Sequence, residues 1–161
     1  MIIREAIETE KAEIVALYRS SQIATGIPSP ELVPSSELGA KLYQRDAIKR
    51  YISIEDHRII GHGIIEEPNP DHLSDWQQAV NNYDATFIEL GAAFVDPSKF
   101  GRGIWSSLLT HRLHVVRSLG AIPVSVTWTS NLHVRKHFEK NGGTEITQKE
   151  TRAGNISLFL L

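Results

Sequence analysis

A single carboxylate, Glu89, interrupts the otherwise nearly continuous apolar run Phe87-Ile88-Glu89-Leu90-Gly91-Ala92-Ala93-Phe94-Val95. Such a run is what a strand buried on both faces requires. An acid inside it costs free energy unless it is paired or protonated, and burial raises a carboxyl toward a pKa suited to taking a proton from an ammonium. Glu89 is therefore the candidate general base, the alternative being a solvent-facing or ion-paired strand residue. Shortly after the run, Phe100-Gly101-Arg102-Gly103 opens a stretch of helical periodicity, with Ile104, Leu108, Leu109, Leu113, Val116 and Leu119 on one wide face and Gly120 as its stop. A glycine loop between strand and helix gathers free backbone N–H groups and the positive helix end at one point, where phosphate oxygens can sit. A plain structural turn would use the same glycines.

Several rival chemistries fail on the residues. A dinucleotide crossover needs glycines directly after the strand and an acid at the end of the next one. Here Asp96-Pro97-Ser98-Lys99-Phe100 intervenes, and the next strand ends Thr127-Trp128-Thr129. No Gly-Lys-Ser/Thr follows the glycines, so a nucleoside triphosphate loop is excluded, and no Gly-x-Ser-x-Gly elbow offers a hydrolase nucleophile. His133 with His137, and His111 with His114, have helical spacings that could place two metal ligands together, but no HExxH pattern completes a site and no metal is expected.

The chain has 161 residues, no cysteine and a formal net charge of -2. Its length suits one domain spanning residues 1–161. The lack of cysteine removes thiolate nucleophiles, thiolate metal sites and disulfides, and an intracellular, cytoplasmic home is the expectation. No apolar run is long enough to span a bilayer. From Pro97 to Gly143 there are seven Lys and Arg against one acid, while the remainder holds ten bases and 18 acids. The basic segment suggests an anionic ligand and the acidic remainder a cationic one; two solvated faces are the alternative. Basic residues do not interleave with aromatics, and a pI near 6.4 argues against a nucleic-acid face.

The elements that must carry these groups read in order. Ile2 to Ala6 is a short strand, and a helix follows with Thr9 as its expected cap and Ile14, Val15, Leu17 and Tyr18 as its stripe. A proline-rich loop, Gly26 to Pro34, precedes a helical stretch from about Ser36 to Lys49. Tyr51 to Glu55 and Ile59 to Ile65 flank Asp56-His57 as a hairpin. Asp71 to Tyr83 reads as a small, mostly polar surface helix. After the glycine-loop helix come a β-branched strand from Pro123 to Thr129, a short helix from Asn131 to Lys140, and a hairpin of Thr144 to Glu150 with Asn155 to Leu161. The apolar ending Leu158-Phe159-Leu160-Leu161 could serve the core or a homodimer.

This order, together with Phe94-Val95-Asp96-Pro97, Phe100-Gly101-Arg102-Gly103-Ile104-Trp105-Ser106, Asn131 and Phe138-Glu139-Lys140-Asn141-Gly142, resembles the GNAT family of acetyl-CoA-dependent N-acetyltransferases. The resemblance implies a mixed, mostly antiparallel α/β sheet of about seven strands, helices on both faces, and a splay between the fourth and fifth strands. It implies acetyl transfer from acetyl-CoA to a primary amine, either a small amine or a lysine side chain. The pyrophosphate would meet the N–H groups of Gly101 to Ser106, with Lys99 and Arg102 nearby, and the pantetheine arm would pair with Ala93, Phe94 and Val95. Glu89 occupies the position of a glutamate base found in some members. Asn131 is implied near the cofactor, though a helix cap alone would explain it. The chain departs from the family pattern at three places: Phe100 and Trp105 stand at the first and last positions of the phosphate loop, and Phe138 replaces the tyrosine that often protonates the departing thiolate. These departures keep a second reading open, a catalytically silent acyl-CoA-binding or regulatory module.

Overall fold

The protein is described by a computed structural model covering residues 1–25, 47–152 and 154–161. The expected loop Gly26 to Pro34 and the expected helix from Ser36 as far as residue 46 lie outside the described residues, as does Ala153. Seven strands form one sheet: β1 (Ile2–Glu5), β2 (Ala47–Glu55), β3 (Arg58–Glu66), β4 (Phe87–Val95), β5 (Ile122–Trp128), β6 (Thr144–Thr151) and β7 (Gly154–Leu160). Their spatial order is β1-β2-β3-β4-β5-β7-β6, and every pair is antiparallel except β4 with β5. The mixed, mostly antiparallel sheet expected from the sequence is therefore present. Among the described residues four α-helices accompany it: α1 (Lys11–Thr25), α2 (Pro70–Val80), α3 (Ile104–Ser118) and α4 (Leu132–Lys140).

Three local expectations need correction. Thr9 does not cap α1; a short 3-10 turn, Glu8–Glu10, precedes it, and the Glu10 carboxylate accepts the Ile7 N–H at 2.9 Å while pairing with Arg4. Ala47 to Lys49 are not helical but begin β2, because pairing with β3 outweighs local helical preference. The polar insert, α2, does not merely lie on the surface. It drives Trp76, fully buried, against Phe87, Val124 and Leu158.

The hairpin at Asp56-His57 has the positive backbone angles of a tight two-residue turn, φ 49° and 60°. The sheet separates two apolar layers. On one side α3 and α4 bury Leu108, Leu109, Leu113, Val116 and Phe138 against Ile65, Leu90 and Phe159. On the other, α1 sets Ile14 and Leu17 on Ile52 and Ile59, and α2 supplies Trp76. Leu158 and Phe159 are wholly inside this core, so that part of the apolar C-terminal ending serves the chain's own packing.

Candidate active site

Strand β4 is paired with β5 only at Phe87, Ile88 and Glu89, opposite Ile122, Pro123 and Val124. Beyond that point β5 turns its pairing to β7 alone, and the two parallel strands diverge as the sequence led us to expect. At the divergence the buried Ser125 hydroxyl donates to Leu90 O at 2.8 Å, replacing the lost backbone partner. On its other edge β4 carries a bulge: Gly63 faces Ala93 and Ile65 faces Leu90, so two steps along β3 match three along β4. Gly91 to Phe94 are only half-buried, which corrects the picture of a strand covered on both faces.

The gap opens into a cleft of about 1320 Å³. Every site residue nominated by the sequence borders it: Glu89, Ala93, Phe94, Val95, Lys99, Phe100, Gly101, Arg102, Gly103, Ile104, Trp105, Ser106, Asn131 and Phe138. Asp96 caps the short 3-10 turn Pro97–Lys99 through the Ser98 N–H, which aims the chain into the glycine loop. Gly101 and Gly103 have φ of 79° and 75°, the left-handed region where glycine is favoured, and a Cβ on either would meet no atom of the described residues within 4 Å. Gly103 starts α3 without any side-chain cap. The first N–H groups of a fifteen-residue helix therefore face the cleft mouth with the positive helix end behind them.

The two bases nearest the glycine loop, Lys99 and Arg102, are already engaged. Glu55, at the end of β2, accepts both Arg102 nitrogens at 2.7 and 2.8 Å and Lys99 Nζ at 2.9 Å. Hydrogen bonds from Arg102 and then Lys99 pull the Glu55 carboxyl down to about 2. Arg135 is bound to Glu145, and Arg112 points into the core. Three of the segment's seven bases, Lys99, Arg102 and Arg135, are thus ion-paired within the chain, and the expected contacts of Lys99 and Arg102 with a phosphate would have to compete with Glu55.

At the inner end of the cleft Glu89 is half-buried and accepts the Asn69 N–H at 3.2 Å. A second carboxylate, not singled out in the sequence, joins it. Glu66 lies opposite Glu89 in register, is 8% exposed and lines the same cleft. Its Oε1 lies across Gly91, where a Cβ would fall 2.0 Å from it, so only glycine at 91 admits that carboxylate. The signal available in the sequence was Gly91 itself, a strand-interior glycine of the kind that marks a bulge or a close approach.

The aromatic end is made by Trp105, whose ring lies 5.2 Å from His137 and 5.9 Å from Phe138. Phe138 is 3% exposed and packs on Phe159 as well as bordering the cleft. His137 Nδ1 lies 3.2 Å from Ser106 Oγ, and burial, with His133 and Lys140 adding, lowers its pKa. A neutral imidazole is a poor proton donor, so His137 is badly suited to replace the absent tyrosine. Asn131 caps α4 by accepting the Val134 N–H at 3.3 Å, as one of its two sequence readings has it, and it also borders the cleft. Among the described residues, no three His, Asp or Glu are grouped to hold a metal ion, and no helix is long and apolar enough to cross a membrane.

No protein-family model matches the chain, and no curated protein matches it in sequence. Solved structures do resemble it in shape. An N-acetyltransferase from Staphylococcus aureus Mu50 superposes with a TM-score of 0.71 at 19% identity, covering 99% of this chain and 96% of that one. A ribosomal-protein-alanine N-acetyltransferase from Brucella melitensis gives 0.71 at 17% identity over 100% of both chains. A GNAT family acetyltransferase from Brucella melitensis in complex with acetyl-CoA gives 0.64 at 15% identity, covering 97% and 94%. These likenesses extend over nearly the whole of each chain, and the protein has the fold of the GNAT N-acetyltransferases.

Proposed function

We propose that the protein is an N-acetyltransferase that moves an acetyl group from acetyl-CoA to a primary amine, a small amine or a lysine side chain. The observation that carries this reading is the parting of β4 from β5 beside an uncapped helix N-terminus: one end offers unpaired strand backbone to an extended amide-bearing arm, the other offers N–H groups to phosphate. The acetyl-CoA complex of the Brucella melitensis neighbour supports the same assignment of ligand. We place the protein in the cytoplasm, consistent with its lack of cysteine.

In this reading Gly101 to Ser106 bind the pyrophosphate and Ala93 to Val95 align the arm. Glu89 takes the proton that the acceptor's ammonium must lose. The amine nitrogen then forms a bond to the thioester carbon, the C–S bond breaks, and the sulfur leaves as a thiolate; the second proton that the nitrogen sheds in becoming an amide passes through water to that thiolate, and Glu89 returns its own proton to solvent. A thiol with a pKa of about 8.5 is a tolerable leaving anion near neutrality, which explains how Phe138 can stand where an acid is usual.

Glu55 holding Lys99 and Arg102, together with Trp105 in the loop, favours the second reading, a silent acyl-CoA-binding module. The two separate in one experiment. Acetyl-CoA should raise the melting temperature, and free thiol should be released when a panel of amines, amino acids and peptides is added. Stabilisation without release from any acceptor would select the silent module; no stabilisation at millimolar acetyl-CoA would defeat both.

A further inference from the structure

Arg112 is the most deeply buried charge described in the chain, at 1% exposure, and the reaction outlined above does not use it. It falls on the apolar stripe of α3, between Leu108 and Val116, and reaches under the sheet toward the bulge of β4. Its Nη1 donates to Ile64 O at 3.0 Å and to Gly91 O at 3.1 Å, while Nε donates to Leu108 O at 3.3 Å. Two strands thus surrender one carbonyl each to a single nitrogen. Gly91 and Ala92 are the residues that the bulge leaves without a register partner on β3. The guanidinium therefore replaces the interstrand bond that the bulge removes. Gly63 makes this possible, because a Cβ there would lie 3.0 Å from Nε and Cζ.

A planar trans peptide directs its N–H opposite to its C=O. With Gly91 O turned toward β3 and Arg112, the N–H of Ala92 turns toward the diverging edge of β4, the side where Leu90 O meets Ser125. We propose that Arg112 is a positioning residue of the acyl site: by gripping Gly91 O it fixes the Ala92 N–H as a donor to the thioester oxygen and sets a permanent positive charge behind that peptide. This rests on the acetyltransferase reading. Negative charge grows on the acyl oxygen as the amine adds, and a fixed donor backed by a buried cation meets that charge without reorganising. Burial draws the guanidinium down to about 10 and the Glu66 carboxylate opposes the fall, so the charge persists at neutral pH.

The test uses Arg112→Gln and Arg112→Lys in the full chain. Three quantities are read for each: CoA affinity, kcat, and the carbonyl stretch of acetyl-CoA carrying carbon-13 at the thioester. In the wild type the stretch should move to lower frequency on binding. In the Gln variant that shift should shrink and kcat should fall by about tenfold or more, with CoA affinity changed by less than about threefold, and the Lys variant should recover part of both. Should the Gln variant fail to fold, the Lys variant alone decides, since one ammonium on a shorter side chain cannot serve Ile64 O, Gly91 O and Leu108 O from the two separate nitrogens that the guanidinium uses. A wild-type carbonyl shift and kcat in a folded variant would overturn the proposal while leaving acetyl transfer intact. Failure of the wild type itself to bind acetyl-CoA would overturn the functional reading, and this inference with it.

Discussion

Glu55 holds Arg102 by both carboxylate oxygens, at 2.7 and 2.8 Å, across the mouth of the glycine loop. The pair joins the end of β2 to the start of α3 and sets an intramolecular anion against the residue best placed to meet an external one. Lys99 shares the same carboxylate. Phosphate binding at this mouth is therefore a competition, and its outcome depends on which anion the two bases prefer.

Replacing Glu55 by Gln should release Arg102 and Lys99, tighten CoA binding by up to about fivefold and make it more sensitive to salt. Arg102→Ala should weaken binding, because it strips the Glu55 carboxylate of its main partner next to the phosphate site; the double variant should regain part of the loss. Calorimetric titrations at low and physiological salt would check this. An Arg102→Ala defect identical with and without Glu55 would show that the carboxylate plays no part.

Gly103 has room for a side chain but not the backbone angle for one. Gly103→Ala should cost about 1 kcal/mol of stability through its left-handed φ. Its methyl group would also enter the space proposed for the pyrophosphate, so the rise in melting temperature produced by acetyl-CoA should shrink by at least half. An undiminished rise would mean that the phosphate sits elsewhere.

Glu89→Gln should lower kcat at least tenfold, the lower part of the range ordinary for a positioned base. Phe138→Tyr should change kcat by less than about tenfold, because the thiolate can leave unassisted and the ring is already committed to Trp105 and Phe159. Full activity in the Gln variant would move the base to another group. A Tyr variant that turns over when the wild type does not would favour the silent module.

His62 is 4% exposed, lies parallel to Phe94 with ring centres 6.2 Å apart, and finds no hydrogen-bond partner for either nitrogen among the described residues. Burial, with Arg50 and Arg112 adding, draws its pKa down to about 3 from the usual 6.5. Between those values only the unfolded chain takes the proton, so stability should fall as pH drops from 6.5 toward 3 and level off below. His62→Phe should abolish a few kcal/mol of that acid sensitivity. Urea unfolding of both proteins at pH 7 and pH 5 checks it; equal losses in the two would exclude His62 as the source.

Much of this molecule follows from its order of residues. The apolar run around Glu89, the glycine loop, the periodic helix after it and the two hairpins are local patterns, since periodicity and turn chemistry act over a few residues. The family resemblance built on these patterns, more than the patterns alone, named the strands that part and the residues that border the cleft. What they could not decide is set by contacts between distant segments. The register of β3 on β4 fixes the bulge, and it brings Glu66 over Gly91 and Arg112 beneath it, from positions 25 and 21 residues away from that glycine. Arg112 was legible only as a base in a basic segment, although its place between Leu108 and Val116 on the helix stripe marked it as inward-facing. The same holds for Glu55 and Arg102: each is an ordinary surface charge in sequence, and only the folding of β2 against the start of α3 makes them a pair. Sequence spacing assigns side chains to faces; which faces meet, and which charges thereby cancel, is decided when the sheet closes.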